Sequence, residues 1–403
     1  MSIRISDRLN TIKTSPTMAV TARADELKAA GHDVIGLGAG EPDFETPAHI
    51  RAAALAAMDQ GLTRYTAVDG TPELKDAVIE KFRRDNGFDY DRSQIVVSCG
   101  GKHVIYNLVH SVINPGDEAI IPAPYWVSYT DIVLLAGGTP VVVETDIDAE
   151  FKITPEQLER AITPKTRLLM LNSPSNPTGV CYKKSELQAL GEVLKVHPQI
   201  VIATDDIYEH IIWDDEPFAN ILNACPELTD RTVVINGVSK AYAMTGWRIG
   251  FAGSPAPIAA AMRKIQSQCT SNPCSISQAA SIVALRDDQS FLGDMVKVFR
   301  RRHDYVHQRL NEMKGVRCLA ATGAFYAFPD VREAIESTPG VTDDVSLCEK
   351  FIDEGQVAVV PGSAFGAPGY LRLSYATSDE ALEKAMDRMT AVLAGQAPKV
   401  SNR

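Results

Sequence analysis

Short apolar runs recur through the middle of the chain, separated by longer stretches of mixed polarity. These runs are continuous rather than alternating, so each predicts a strand covered on both faces, as in a mainly parallel sheet. The six runs cover residues 95–97, 119–121, 141–143, 168–171, 200–203 and 233–235.

The stretches between the runs carry signals for the start and end of helices. Thr46 precedes an alanine-rich segment that Gly61 closes, and Thr154 forms a capping box with Gln157. Strands that alternate with helices in this way are typical of an α/β fold with a doubly wound sheet.

The last third of the chain has a different pattern, which predicts a smaller α+β domain. A long amphipathic helix is expected over 287–315, short strands over 324–328, 357–360 and 370–375, and a final helix over 380–393. We therefore divide the chain into a large α/β domain, 46–295, and a small domain. The small domain combines 1–45, which includes an N-terminal arm, with 296–403.

Length and charge narrow the classes of function. The 403 residues suit two domains, and 40 Lys and Arg against 51 Asp and Glu give a net charge of −11. A surface with this net negative charge repels a phosphate backbone. We therefore expect no nucleic-acid partner. The sequence shows neither an apolar leader nor the roughly 18 apolar residues that span a bilayer. We therefore expect a cytoplasmic protein with no membrane partner.

The cysteines predict neither a disulfide framework nor a metal site. Seven of them are scattered along the chain without a CxxC pair, a pattern that is typical of reduced thiols. We accordingly expect no metal cofactor.

Candidate chemistry follows the predicted strands, because ligands of such sheets bind beyond the carboxyl ends of the strands. Gly100, Gly101 and Lys102 come after the first run and open a helix. Backbone N–H groups at a helix start suit a phosphate. A tight turn without any ligand explains the two glycines equally well.

Three more polar or aromatic residues follow later runs. The Trp126 indole either stacks on a flat ring or fills the core. Asn176 lies in a proline-rich turn that aims its amide. Asp205 follows the fifth run, where a buried carboxylate needs a cationic partner. The alternatives for Asp205 are a helix N-cap and a metal pair with Asp206.

The sixth run is followed by Ser239, Lys240 and Arg248. A lone lysine is usually a solvated surface residue. Here it joins a phosphate-binding turn, an aromatic ring, an amide, a carboxylate and an arginine at one edge of a sheet. Together these groups match a flat, phosphorylated, cationic ring that is bound as a Schiff base. That ligand is pyridoxal 5′-phosphate (PLP).

Motifs along the whole chain resemble those of one enzyme family, in the same order. Residues 237–240, with Gly246 and 248–250, resemble the lysine attachment motif of class I/II aminotransferases. Further motifs of that family match residues 38–44, 125–126, 176–179, 205–208 and 370–375. The resemblance is greatest to the bacterial aspartate aminotransferase branch, which includes bifunctional aspartate/prephenate aminotransferases. It implies fold type I, with a seven-stranded sheet in the large PLP domain.

The resemblance implies a role for each residue that faces the PLP ring. Lys240 is expected to carry the cofactor as a Schiff base and to move the proton once the substrate displaces it. Asp205 is expected to pair with the pyridine nitrogen. Tyr208 and Asn176 resemble the contacts to the ring oxygen, and Trp126 resembles the stacking partner.

The resemblance also implies how the phosphate is held. The expected contacts are the backbone N–H groups of Gly101 and Lys102, the Ser239 hydroxyl and the Arg248 guanidinium. Tyr65 resembles a tyrosine that reaches the phosphate of the neighbouring subunit. The implied assembly is a homodimer with shared active sites.

The implied substrates are small amino acids and 2-oxo acids with a second carboxylate. Arg372 is expected to bind the α-carboxylate, helped by Gly40, Asn176 and Trp126. The distal carboxylate is assigned to Lys102, assisted by Lys13 and Ser15 of the N-terminal arm. The implied reaction is ping-pong transfer of an amino group between aspartate or glutamate and 2-oxoglutarate or oxaloacetate.

Three alternatives stay open. The same site residues suit an aminotransferase of prephenate or of aromatic 2-oxo acids. A PLP lyase of the same fold keeps the cofactor residues but seldom the whole set of Gly40, Lys102 and Arg372. A non-catalytic regulator of this fold normally carries a helix-turn-helix domain, for which we expect no room before Gly36.

Overall fold

The apolar runs form strands of one sheet in this computed structural model, which describes residues 3–14 and 16–396. The strands are β1 (Ile35–Gly36), β2 (Ile95–Ser98), β3 (Glu118–Pro122), β4 (Thr139–Val143), β5 (Thr166–Asn172), β6 (Val201–Asp205), β7 (Thr232–Gly237), β8 (Gly250–Gly253), β9 (Tyr326–Ala327), β10 (Val357–Ala358), β11 (Val360–Pro361) and β12 (Leu371–Ser374).

Helices account for most of the remaining chain. The α-helices are α1 (Pro16–Ala29), α2 (Ala48–Asp59), α3 (Pro72–Lys81), α4 (Gly101–Val112), α5 (Ser128–Leu135), α6 (Pro155–Ala161), α7 (Lys184–Lys195), α8 (Ile221–Ala224), α9 (Ala256–Ser267), α10 (Ser275–Arg286), α11 (Ser290–Glu312), α12 (Arg332–Ser337), α13 (Asp344–Gly355) and α14 (Asp379–Leu393). Short 3₁₀ helices span Asp7–Thr11, Arg92–Gln94, Pro226–Arg231, Thr245–Trp247 and Gly362–Phe365, and a π-helical turn spans Phe82–Asn86.

The central sheet has seven strands in the order β2-β8-β7-β6-β5-β3-β4. Strands β7, β6, β5, β3 and β4 are parallel, and β8 runs antiparallel to both β2 and β7. All six predicted runs lie in this sheet, which confirms the mainly parallel α/β fold. The apolar pattern did not predict β8, because two of its four residues are glycines.

Helices cover both faces of this sheet. Alternate residues of β3 enter separate apolar clusters: Ile120 packs in the cluster that contains Leu190 of α7, and Ile121 packs in the one that contains Leu108 of α4. This double coverage explains why the strands are continuously apolar.

The predicted helix signals are confirmed with one difference. The Thr154 side chain accepts a hydrogen bond from the Gln157 N–H, and the Gln157 side chain accepts one from the Thr154 N–H. Helix α2 begins at Ala48, but the Thr46 hydroxyl donates to the Ala243 carbonyl at 2.6 Å instead of capping the helix. Thr46 thus fixes the chain just after Lys240.

The last third of the chain builds two small sheets. β1 pairs in parallel with β10, and β11, β12 and β9 form an antiparallel sheet in that order. The predicted strand 357–360 is split at Val359, because β10 and β11 pair with different partners. Residues 35–36 therefore contact the tail, while the domain limits given above stay a prediction.

The predicted long helix and final helix are α11 and α14. Both pack on the small sheets: Phe299 of α11 and Met386 of α14 lie in one apolar cluster with Leu373 of β12. This cluster holds β9 and β12 next to the edge of the central sheet, because Tyr208, which follows β6, belongs to it.

The sequence predicts neither a disulfide framework nor a membrane-spanning helix, and the structure bears on both. The seven cysteines are all free thiols. Across 3–14 and 16–396, every helix is too short or too polar to cross a bilayer.

Candidate active site

A cavity of about 580 Å³ opens at the carboxyl ends of the central strands, where ligands of such sheets bind. Most of the predicted site residues line it. These are Gly40, Gly101, Lys102, Trp126, Asn176, Asp205, Tyr208, Ser239, Lys240, Arg248 and Arg372. The stacking candidate Trp126 is half-buried at the cavity wall rather than inside the core.

Three predicted site residues lie elsewhere. Tyr65 is 91% exposed and does not line the cavity of its own chain. Lys13 is exposed and contacts Asp131 of α5. Ser15 lies outside the described residues.

Lys240 reaches into the cavity from the loop after β7. Its ammonium donates a hydrogen bond to the backbone carbonyl of Gly40. Burial, followed by the positive charge of Arg372, lowers the pKa of Lys240 to about 8. The side chain therefore becomes largely a free amine, which is a nucleophile and a base, above about pH 8 rather than above pH 10.

Asp205 ends β6 and is 7% exposed. Its Oδ2 accepts a 2.7 Å hydrogen bond from the Tyr129 hydroxyl of α5. Burial raises the pKa of Asp205 to about 6, although the Tyr129 bond and the charge of Lys240 act in the opposite direction. A buried carboxylate in this state favours a cationic partner in the cavity.

The alternatives for Asp205 do not match its surroundings. The carboxylate of Asp206 points away from the cavity and accepts hydrogen bonds of 2.6 Å from Thr204 and Asn220. The two aspartates therefore serve different partners and do not form a metal pair. Asp205 does not cap a helix either, because a turn over residues 207–210 follows it.

The start of α4 and the Arg248 guanidinium form one cradle. Gly100 has φ +87°, and a Cβ built on it would overlap the Arg248 guanidinium, so only glycine leaves room for that arginine. Arg248 itself has φ +58° and donates from Nη1 to the Thr245 carbonyl at 2.8 Å. With the Gly101 N–H and the Ser239 hydroxyl, this cradle suits a phosphate.

Arg372 is a buried cation at another wall of the cavity. It is 2% exposed, and its Nη1 donates to the Asn176 side-chain oxygen at 3.0 Å. Its guanidinium lies 4.7 Å from the Tyr326 ring centroid. Of the carboxylates in the described chain, none forms an ion pair with it, and its buried Nε lacks a partner. A buried guanidinium of this kind is complementary to an anionic ligand.

Lys102 lies at the mouth of the cavity. Its ammonium is 5.0 Å from the Trp126 ring centroid, a cation–π distance. Partial burial, followed by the charge of Arg248, lowers the pKa of Lys102. The cavity thus has three positively charged side chains besides Lys240.

Two functional candidates were not predicted from the sequence. Tyr129 holds Asp205, and Tyr326 places its hydroxyl 2.7 Å from that of Tyr208. Tyr129 is one helical turn after Trp126, a spacing that could have indicated it. Tyr326 lies in the predicted strand 324–328 and gave no signal of its own.

The chain matches a known family over most of its length. The profile described as "Aminotransferase class I and II" matches residues 32–389. The aspartate/prephenate aminotransferase of Nitrosomonas europaea is 55% identical over 396 residues, which cover 97% of this chain and 100% of the relative. The aspartate aminotransferase of Geobacillus stearothermophilus is 48% identical over 387 residues, covering 96% of this chain and 98% of the relative.

Solved structures show the same fold. The aspartate aminotransferase of Rhizobium meliloti superimposes with a TM-score of 0.94 at 46% identity, covering 99% of this chain and 100% of that one. The aspartate aminotransferase of Thermus thermophilus with maleate has a TM-score of 0.91 at 41% identity, covering 97% and 100%.

Proposed function

Because this chain belongs to the aminotransferase class I and II family, we propose that it uses PLP to transfer amino groups between aspartate or glutamate and 2-oxoglutarate or oxaloacetate. One observation carries the proposal. A lysine whose pKa is lowered to about 8, a buried carboxylate and two arginines line a single cavity. This set fits a ligand that reacts with an amine, pairs with a carboxylate and carries two anionic groups.

The residues of the cavity fit PLP in charge and hydrogen-bonding type. Arg248, Ser239 and the N–H of Gly101 would hold its phosphate, Asp205 its pyridine nitrogen and Tyr208 its ring oxygen. Gly100 supports this fit, because the absence of a side chain there lets Arg248 stand at the start of α4. When bound, PLP supplies an electron-withdrawing ring that stabilises negative charge on the substrate Cα.

Lys240 is the proposed base at the reacting carbon. With the pKa lowered to about 8, its amine can take a proton from the substrate Cα and return it during the second half-reaction. Its bond to the Gly40 carbonyl supports a resting position there for the freed amine. Asp205 supports this step, because its negative charge, held by Tyr129, keeps a cationic ring nitrogen protonated.

Arg372 and Lys102 are the proposed determinants of substrate choice. Arg372 offers a planar fork that matches an α-carboxylate. Lys102 offers a point charge at the cavity mouth for a second carboxylate. The maleate in the Thermus thermophilus structure is a dicarboxylate, which supports acidic substrates for this chain as well.

A second candidate function is amino transfer to prephenate or to aromatic 2-oxo acids. Lys102 favours it, because a flexible ammonium beside an indole selects less strictly for a second carboxylate than an arginine fork would. Substrates of other shapes can therefore enter the cavity as well. The Nitrosomonas europaea relative is named for both aspartate and prephenate. A PLP lyase is less well supported, since Gly40, Lys102 and Arg372 all line the cavity.

The proposal includes a homodimer of cytoplasmic subunits, each with the two domains predicted above. Tyr65 supports the dimer, because a 91% exposed tyrosine next to exposed Leu62 suits a subunit interface better than free solvent. Met58 and Leu55 of α2 extend this apolar surface. We propose that Tyr65 enters the cavity of the second copy.

Half-reactions of the PLP-loaded protein test the function. Aspartate alone should remove the visible absorption of the bound cofactor, and 2-oxoglutarate should restore it. Repeated turnover of aspartate without any 2-oxo acid, well beyond one product molecule per bound PLP, would instead indicate a lyase. Repeating the restoration step with prephenate and with phenylpyruvate decides the second candidate.

A further inference from the structure

Two buried tyrosines share one hydrogen bond beside Lys240. The hydroxyls of Tyr208 and Tyr326 are 2.7 Å apart, and the rings belong to residues that are 2% and 0% exposed. A hydroxyl has a single proton to donate. Whichever tyrosine donates to the other has no proton left for a ligand.

The geometry allows either hydroxyl to donate, and both tyrosines line the cavity. Tyr326 is 0% exposed, and within the described residues its hydroxyl has Tyr208 as its hydrogen-bond partner. Gly40 packs against it so closely that a Cβ there would lie 2.9 Å from the Tyr326 oxygen. A buried hydroxyl that left its proton unpaired would be costly, so the Tyr326 proton goes to Tyr208.

We propose that Tyr326 is a positioning residue whose hydroxyl, by donating to Tyr208, directs the Tyr208 proton into the cavity toward the ring oxygen of PLP. The inference rests on the proposed function. It assigns to Tyr326 a part in binding that neither the sequence motifs nor the comparisons assign.

The same side chain also supports Arg372. The guanidinium of Arg372 stands 4.7 Å from the Tyr326 ring centroid, so the ring and the hydroxyl of Tyr326 serve different neighbours. Tyr326→Phe separates these contributions, because it keeps the ring against Arg372 and removes only the hydroxyl. The variant also preserves the packing of a core residue.

The pH titration of the visible absorption of the PLP-loaded protein tests the proposal. A proton donated to the ring oxygen favours its anionic form and lowers the midpoint. Tyr326→Phe removes the donor that polarises the Tyr208 hydroxyl and holds it in place, so the bond from Tyr208 to the ring oxygen should weaken and the midpoint should rise by up to about half a pH unit. Tyr208→Phe should raise it at least as much.

The double variant shows whether Tyr326 acts through Tyr208. In the Tyr208→Phe background, Tyr326→Phe should move the midpoint no further. Tyr375→Phe is the matched control, since Tyr375 is also fully buried in the same cluster and its hydroxyl has no partner in the described structure. Its midpoint should equal that of the wild type.

An unchanged midpoint in folded Tyr326→Phe, or additive shifts in the double variant, would overturn the inference. If Tyr326→Phe does not fold, 3-fluorotyrosine at position 326 replaces it. This stronger donor polarises Tyr208 and should lower the midpoint, and no change would again overturn the inference. A wild-type protein that gives no visible band with PLP refutes the proposed function itself.

Discussion

The Tyr129 hydroxyl donates a 2.7 Å hydrogen bond to the carboxylate of Asp205. Because Asp205 is buried, its ionised form depends on this bond and on the nearby charge of Lys240, both of which lower the pKa against the effect of burial. Tyr129 thus determines how readily the cavity accepts a cationic ring.

Tyr129→Phe should weaken PLP binding about tenfold, since a hydrogen bond to a charged group contributes about 1.5 kcal/mol or more. Loss of the bond also raises the pKa of Asp205, so the defect should grow as the pH falls. Equilibrium titration of the apoprotein with PLP measures it. Tyr90→Phe is the control, because the buried Tyr90 hydroxyl has no partner in the described structure. Equal affinities for the two variants would contradict this role of Tyr129.

Lys240→Ala should lose aminotransferase activity by at least a thousandfold, because the variant has neither the attachment amine nor the base. Borohydride treatment of the PLP-loaded wild type should yield a pyridoxyl-labelled peptide that contains Lys240. Mass spectrometry of the digest locates the label. A label on any other lysine, or wild-type turnover by Lys240→Ala, is incompatible with the proposed mechanism.

The attachment of PLP should depend on pH through Lys240. Its pKa is lowered to about 8, so the reactive free amine is abundant above pH 8 and falls about tenfold for each pH unit below it. The rate at which the apoprotein gains visible absorption with PLP should follow this curve. A midpoint near 10.5, where an ordinary lysine titrates, would show that the cavity does not perturb Lys240.

Lys102→Ala should alter substrate choice more than catalysis. We expect kcat/KM for aspartate to fall about a hundredfold, while that for phenylalanine, which has no second carboxylate, changes less than about threefold. Steady-state kinetics with both donors measures the ratio. Lys297→Ala, on the exposed side of α11, serves as the surface control. Equal losses for both donors would remove the distal-carboxylate assignment.

Tyr65 should act in the cavity of the second subunit. A hybrid dimer with Tyr65→Ala in one subunit and Lys240→Ala in the other then has one intact site and should keep about half of the wild-type activity. The matched control places both substitutions in one subunit and pairs it with wild type, which leaves no intact site. If the two hybrids are equally active, Tyr65 does not act between subunits.

The sequence predicted the central sheet well, because strands buried on both faces leave a continuous apolar pattern that needs no tertiary information. The pattern failed at β8, whose glycines carry no apolar signal, and at 357–360, where the chain changes sheets at Val359. The second failure concerns pairing partners, which are distant along the chain.

Part of the active site could be predicted in the same way. Asp205 and Lys240 each follow a predicted strand, so the order of strands and helices already places them at the same edge of the sheet. Tyr129 and Tyr326 were missed because their partners are 76 and 118 residues away along the chain. Tyr65 and Lys13 lie outside the cavity of one chain, and the proposed role of Tyr65 depends on a second copy.

Arg372 of β12 meets Asn176, which follows β5, and the backbone of Gly38 near β1. The anion clamp is thus made from segments at the start, the middle and the end of the polypeptide. During synthesis it cannot assemble until position 372 has left the ribosome, however early the parallel strands pair. A growing chain therefore gains the means to hold an amino acid only after β12 has been synthesised, well after β5.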